Sequence, residues 1–328
     1  MMRRRTFVVT AGAAAGAWPF VTWAQRPAQL PLVAAMAISP NQTEGATTLA
    51  LRENLQALGY VDGATMRFTL TLSRDADDLS KTATDLVALS PRVIFANGDH
   101  VARAVAAATT TIPIVAQTDD HVAAGLSDSY ARPSRNVTGV SRLEGELDVK
   151  RLEILHELLP AARRILVLRD PETGHATRMA ALARAATQLG LQLDVRDIVA
   201  IANIQDAISA NKAAGAEAIL MSGSPLLAAP SAVIQIASVA VMDRLPFMVP
   251  YHRMVVKNGA LISYGANSQA LEARLAQLID RILRGAKPAD LPIERATHFI
   301  LAVNLKTAKA LGLTIPPSIL ARADEVIE

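Results

Sequence analysis

The chain of 328 residues contains no cysteine. Disulfides, thiolate nucleophiles and Cys-based zinc or iron–sulfur centres are therefore excluded. Aromatic residues are scarce at 4% and charged ones few at 19%, while 51% are hydrophobic. That composition folds around an apolar core and is neither disordered nor collagen-like. The formal charge of +3 sits at the N-terminus. Three of the 33 basic residues, Arg3, Arg4 and Arg5, lie within the first 24 residues, which hold no acid; the rest carries 30 basic against 30 acidic residues. A balanced body lacks the basic footprint of a nucleic-acid binder. Beyond the N-terminus no segment runs about 18 apolar residues without a charge or proline, as a membrane-spanning helix would need.

Motifs that would announce an enzyme are absent too. No strand-like run is followed by Gly-x-Gly-x-x-Gly, and there is no Gly-Lys-Ser/Thr phosphate loop. Ser222-Gly223-Ser224 lacks the Gly-x-Ser-x-Gly elbow of a serine hydrolase. His156-Glu157 begins like a metalloprotease helix, but Pro160 stands where the second histidine belongs. The six histidines (His100, His121, His156, His175, His252 and His298) never pair at i, i+3 or i+4 spacing. No catalytic residue, metal site or cofactor is expected.

What is present begins with an address. Arg3-Arg4-Arg5-Thr6-Phe7 precedes an apolar run from Val8 to Val21, and Thr22-Trp23-Ala24 offers a small-residue exit. A basic start, a short apolar middle and a small-residue exit make a secretory signal peptide over residues 1–24, cleaved near Ala24. The apolar run falls short of the ~20 residues that span hydrocarbon. Arg4-Arg5-Thr6-Phe7 also fits the twin-arginine pattern, which a receptor reads. The expected location is the periplasm.

The body alternates short apolar runs with longer helical patterns. Strand-like runs at Leu32–Ile38, Met66–Leu72, Val93–Ala96, Ile112–Ala116 and Val137–Val140 are separated by helical spacing at Thr47–Leu58, Asp75–Leu89 and Val101–Ala108. The scheme repeats from Glu144–Leu159 onward, with strands at Ile165–Leu168, Leu191–Val195, Ala218–Met221, Phe247–Val249, Leu261–Tyr264 and Phe299–Val303. Helical spacing separates these at Ala176–Leu189, Ile204–Ala214, Ser231–Met242 and Gln269–Leu283, with a short helix at Leu305–Leu311. Strands alternating with helices of this length argue for parallel βαβ units. At roughly 150 residues per domain, the expectation is an α/β protein of two doubly wound parallel-sheet lobes.

Polar residues cluster immediately after the predicted strands, where open α/β sheets bind ligands. The clusters supply Ser39 and Asn41; Asn97, Gly98 and Asp99; Thr118, Asp119 and Asp120; Asp170 and Thr173; and Ser222 and Ser224. Tyr264, on the strand approaching a crossover, is the remaining candidate. Hydroxyls and open helix N-termini suit a carboxylate, and the acids suit an ammonium. The same residue types are also ordinary N-caps.

The C-terminal stretch Asn304-Leu305-Lys306-Thr307-Ala308-Lys309-Ala310-Leu311-Gly312-Leu313, followed by Pro316-Pro317 and Ala321-Arg322-Ala323-Asp324-Glu325-Val326-Ile327, closely resembles the tail of the ABC-transporter substrate-binding proteins with the periplasmic-binding type I fold. Asn136-Val137-Thr138-Gly139-Val140-Ser141, Lys150-Arg151-Leu152-Glu153, Ser263-Tyr264-Gly265 and Gly285-Ala286-Lys287-Pro288 are further landmarks, so the resemblance spans the chain. It implies lobes of residues 30–140 plus 266–297 and 141–265 plus 298–328, joined by crossover strands. It also implies a small-molecule solute held between them, permease subunits as partners, and a monomer. Some members bind tryptophan or tyrosine. Where the family often has Gly-Gly-Asp-Pro, this chain reads Thr118-Asp119-Asp120-His121, so only Asp120 carries over directly. The Asn-Pro pair opening the second lobe's first loop is Asp170-Pro171 here, and an Asp-Pro followed by aromatics is Ser224-Pro225-Leu226-Leu227. Fewer aromatics and more acids favour a ligand with a cationic group over an aromatic one. Two other classes share the scaffold: a sensory module feeding a signalling partner, and a two-lobed enzyme such as a glycosyltransferase.

Overall fold

The computed structural model describes residues 30–39, 42–75, 77–171 and 176–328. Its first sheet is built from β1 (Leu32–Ile38), α1 (Ala46–Ala57), β2 (Arg67–Ser73), α2 (Leu79–Ala88), β3 (Val93–Asn97), α3 (Asp99–Ala108), β4 (Ile114–Thr118) and β5 (Val137–Ser141). The chain then crosses over. It continues through α4 (Glu144–Leu158), β6 (Arg164–Arg169), α5 (Ala176–Gln188), β7 (Gln192–Asp197), α6 (Ile204–Ala213), β8 (Ala218–Met221), α7 (Pro230–Met242), β9 (Phe247–Val249), α8 (His252–Asn258) and β10 (Ile262–Ala266). From β10 it returns as α9 (Ser268–Leu283) and β11 (Glu294–Arg295), then crosses a third time into β12 (Phe299–Asn304), α10 (Leu305–Leu311), α11 (Pro317–Leu320) and β13 (Glu325–Ile327).

Strand order is β11-β5-β4-β3-β1-β2 in the first sheet and β13-β12-β10-β9-β8-β6-β7 in the second. Both contain the doubly wound order in which the first strand lies between the second and third, so each sheet has a switch point at the C-terminal end of its first strand. The strand cores are nearly continuous apolar runs because helices cover both faces; Val33 to Met36 and Ile165 to Leu168 are all at most 1% exposed. The first sheet is parallel throughout. In the second, β12 runs antiparallel to β10, Tyr264 facing Leu301, because the third crossover delivers the chain from the opposite direction.

α9 follows a strand of the second sheet yet packs on the first: Leu271, Leu275, Ile279 and Ile282 share a core with Val33, Leu51, Val93 and Val115. The Asn267 side chain caps it, accepting from the Ala270 N–H at 3.1 Å. One boundary differs from the sequence pattern. Asp77 and Asp78 do not begin a helical turn; their N–H groups donate to Asp75 Oδ1 at 3.1 and 3.2 Å, and α2 starts at Leu79. The acids therefore form the turn that precedes the helix. Among the described residues no helix is long and apolar enough to cross a membrane.

Candidate functional site

Side chains that follow β3, β4 and β8 meet residues of the first crossover, α4 and α5. Here the chain buries a network of charges. Arg151 of α4 is fully buried; its Nη1 donates to Glu144 Oε2 at 2.9 Å and to Asp148 Oδ1 at 2.7 Å, and its Nε to the Tyr264 carbonyl at 2.7 Å. Arg178 of α5 donates through Nε to Asp148 Oδ2 and through Nη1 to Asp119 Oδ2 at 3.3 Å. Asp119 Oδ1 also accepts from Arg142 Nη2 at 3.0 Å. Since Asp119 follows β4 of the first sheet and Arg178 lies on the helix after β6 of the second, the network joins the two.

Burying ions costs several kcal/mol each unless they are paired and hydrogen-bonded. Pairing decides the outcome here. Burial alone would raise Glu144, but Arg151, Arg142 and Arg178 outweigh it and hold the carboxyl below its usual range. Burial would likewise lower Arg178, yet Asp148, Asp119 and Glu144 more than offset it. Asp119 goes the other way: burial, with Asp99 and Glu144 adding to it, outweighs Arg142 and Arg178 and raises its carboxyl.

Local backbone geometry sets these groups in place. Leu143 adopts a left-handed conformation (φ 65°) as N-cap of α4, and its N–H donates to the Asp119 carbonyl at 2.9 Å. For a non-glycine residue that conformation costs roughly 1–2 kcal/mol. It turns the chain so that Arg142 and Glu144, on either side, both join the network. Gly223 is confined: a Cβ there would lie 3.1 Å from Glu144 Oε2 and 3.1 Å from Tyr251 Oη.

The structure divides the sequence candidates into groups. Asp99, Asp119 and Ser222 meet at the network: Asp99 Oδ1 accepts from the Asp119 N–H at 2.7 Å, and Ser222 Oγ lies 3.5 Å from Asp148 Oδ2. Thr118 is buried with its Oγ1 2.7 Å from His121 Nδ1, which also lies 2.8 Å from Ser141 Oγ; burial first of all lowers this imidazole to about 4, so the ring is neutral. Asp170, just after β6, is buried. Three candidates close local turns with their side chains. Ser39 Oγ accepts from the Thr43 N–H at 3.0 Å, Asp120 Oδ1 from Val122 and Ala123 at 2.8 and 2.9 Å, and Ser224 Oγ from Leu227 at 3.0 Å. Asn97 ends β3 half-buried, and Gly98, at φ 104°, caps α3 in a conformation that favours glycine. The Tyr264 ring stacks on Phe299, centroids 5.9 Å apart, at the third crossover. Asn41 and Thr173 lie outside the described residues.

Sequence reasoning missed Arg142, Glu144, Asp148, Arg151, Arg178 and Tyr251. Its one available signal was the α4 face Glu144-Leu147-Asp148-Arg151-Leu152-Leu155, where charges share helical spacing with leucines that had to be buried. Among the described residues no three of His, Cys, Asp and Glu are placed to hold a metal ion.

Comparison with known proteins agrees with this architecture. The chain is similar in structure to a conserved domain protein from Vibrio cholerae, with a TM-score of 0.80, 26% identity, and coverage of 91% of this chain and 99% of that one. It is also similar to an ABC domain from Streptococcus pneumonia in complex with L-Trp (TM-score 0.77, 21% identity, 91% and 100% covered). A third is a ligand-free, open substrate-binding protein with adhesive properties from Clostridium difficile (TM-score 0.62, 22% identity, 91% and 99% covered). No curated protein matches the sequence significantly. The family model described as ABC transporter substrate binding protein matches residues 35–327. The chain belongs to the ABC transporter substrate-binding protein family.

Proposed function

We propose that the protein is the exported solute receptor of an ABC importer, and that it binds an amino acid or related organic acid between its two sheets. The carrying observation is the charge network at the strand ends, where Asp119 of one lobe meets Arg178 of the other. Ions of both signs set at a cleft edge suit a small zwitterion or acid. The Streptococcus relative is a complex with L-Trp, which supports the amino-acid class; the sparse aromatics of this chain argue for a smaller, more polar side chain. Residues 30–140 plus 266–297 and 141–265 plus 298–328 would move as the two lobes, hinging at the crossovers and closing on the ligand. The closed form of a monomer would then dock on permease subunits, with no chemical turnover.

Export would use the leader, cleaved near Ala24, and the twin-arginine pair makes a double Arg4→Lys, Arg5→Lys variant the direct check of the route, with precursor retained in the cytoplasm as the expected result. The function itself is tested by a thermal-shift screen of the mature protein over amino and organic acids. A solute at 100 times its dissociation constant adds about 2.7 kcal/mol, which such a screen resolves. A flat screen would sink the proposal.

A further inference from the structure

Asp119 holds two guanidiniums with one carboxylate, yet neither of its pairs is as short as those of Arg151. Its oxygens lie 3.0 Å from Arg142 and 3.3 Å from Arg178, against 2.7 and 2.9 Å for the pairs of Arg151. Charge-assisted N–H···O bonds normally close to about 2.7–2.9 Å. Asp119 and Arg142 are also the members that reach solvent, at 13% and 22% side-chain exposure, while Glu144, Asp148 and Arg151 stay at or below 1%. Both guanidiniums keep donors in reserve: Arg142 Nε and Arg178 Nη2 are buried and make no hydrogen bond among the described residues, Arg178 Nη2 lying 4.0 Å from Glu144 Oε2.

We propose that Arg142 and Arg178 form a receptor for the carboxylate of the ligand, and that Asp119 is the chain's own placeholder in it, displaced when the ligand binds. The proposal rests on the cleft being the solute site. Two planar forks, one from the first crossover and one from α5, match a carboxylate or similar oxyanion, and such a ligand would take the place that Asp119 now holds between them. The anchoring is unequal in the right sense. Arg178 stays fixed when Asp119 leaves, because its Nε is held by Asp148. The Asp119 backbone is fixed through its N–H to Asp99 and its carbonyl from Leu143, so only the side chain has to turn. Burial already disfavours its ionised form, with Asp99 and Glu144 facing it alongside the two arginines. A poorly matched carboxylate is the easiest member to exchange. The competing role, direct capture of a ligand ammonium by Asp119, predicts the opposite sign for the same variants.

The test is titration of acetate and methanesulfonate, with methylammonium as the counter-probe, into the full mature protein and into its Asp119→Asn and Asp119→Ala variants. Placeholder removal is expected to tighten both anions at least tenfold, and adding Arg178→Met to Asp119→Ala to erase the gain. Unchanged or weaker anion binding, or methylammonium binding lost with Asp119, overturns the proposal. If neither variant folds, the unmodified protein crystallised with methanesulfonate decides: the sulfonate on Arg142 and Arg178 with Asp119 turned away supports it, and Asp119 unmoved refutes it. An amino- and organic-acid screen on the unmodified protein separates the two levels. Solutes that bind without any tightening in the variants remove the placeholder and leave the receptor; variants that capture acetate while no solute binds do the reverse.

Discussion

Arg151 and Asp148 sit one turn apart on α4, Nη1 to Oδ1 2.7 Å, with side chains 0% and 1% exposed. An exposed pair at this spacing would contribute a few tenths of a kcal/mol. Buried, the pair matters through what its loss would leave behind. Arg151→Met takes from Glu144 and Asp148 one of their two cations, leaving Arg178, and strips the Tyr264 carbonyl of its donor, so three buried acceptors lose a partner together. Removing one partner of a buried pair costs about 3–5 kcal/mol, and urea denaturation should show a loss of that order. Arg151→Lys keeps the charge without the fork and should fall between wild type and Arg151→Met. A wild-type midpoint for Arg151→Met would mean that the network contributes nothing to stability.

Gly223 is the test of how tightly that network is packed. A methyl group there would press on Glu144 Oε2 and Tyr251 Oη at 3.1 Å. Neither group retreats freely, since Glu144 is held by Arg151 and Tyr251 is buried. Gly223→Ala should therefore destabilise by about 1–3 kcal/mol, the usual cost of overpacking. A melting temperature equal to that of wild type would show that the cluster has room to give.

The fold was legible in the sequence because its signals are local and redundant. Apolar runs such as Val93-Ile94-Phe95-Ala96 and Phe247-Met248-Val249 could only be buried strands, and both are. The site was legible in part. Strand ends mark where side chains converge, and the pattern named Asp99, Asp119 and Ser222, which the structure brings together at the charge network. Arg142 and Arg178 were not named, because each meets Asp119 across a sequence distance of 23 or 59 residues, which no spacing rule encodes. β12 shows the same limit: an apolar strand declares itself, but its direction depends on a third crossover set by long-range packing.

Asp120 makes the distinction between ligand contact and cap measurable. Its Oδ1 accepts two backbone N–H groups, from Val122 and Ala123, and these bonds with the Tyr130 hydroxyl outweigh burial to hold the carboxyl below its usual range. Asp120→Ala should cost about 1 kcal/mol of stability, as the loss of a capping carboxylate does, and Asp120→Asn less. Stability unchanged in Asp120→Ala would free the side chain for the ligand.

Glu272, on α9, gives the molecule a pH dependence of unusual sign. The residue is 4% exposed. Burial first, with Glu53 adding to it, outweighs Arg253 and the Thr47 hydroxyl and pushes the carboxyl up to about 7, from an ordinary 4.5. The folded protein therefore holds a proton that the unfolded chain has already lost throughout the interval from about pH 4.5 to about 7. Stability rises with pH where the unfolded state binds more protons, so here it must fall. The contribution is full below the unfolded value and is lost as pH climbs through the folded one. A tenfold change in proton affinity between the folded and unfolded chain is worth about 1.4 kcal/mol, and with local rearrangement the loss should be on the order of 1–3 kcal/mol. Glu272→Gln is a neutral stand-in for the protonated form. It should flatten the stability profile between pH 5 and pH 8 and leave the variant more stable than wild type at pH 8. Urea denaturation at five or six pH values checks it: parallel profiles for the two proteins would show that Glu272 ionises normally in the fold.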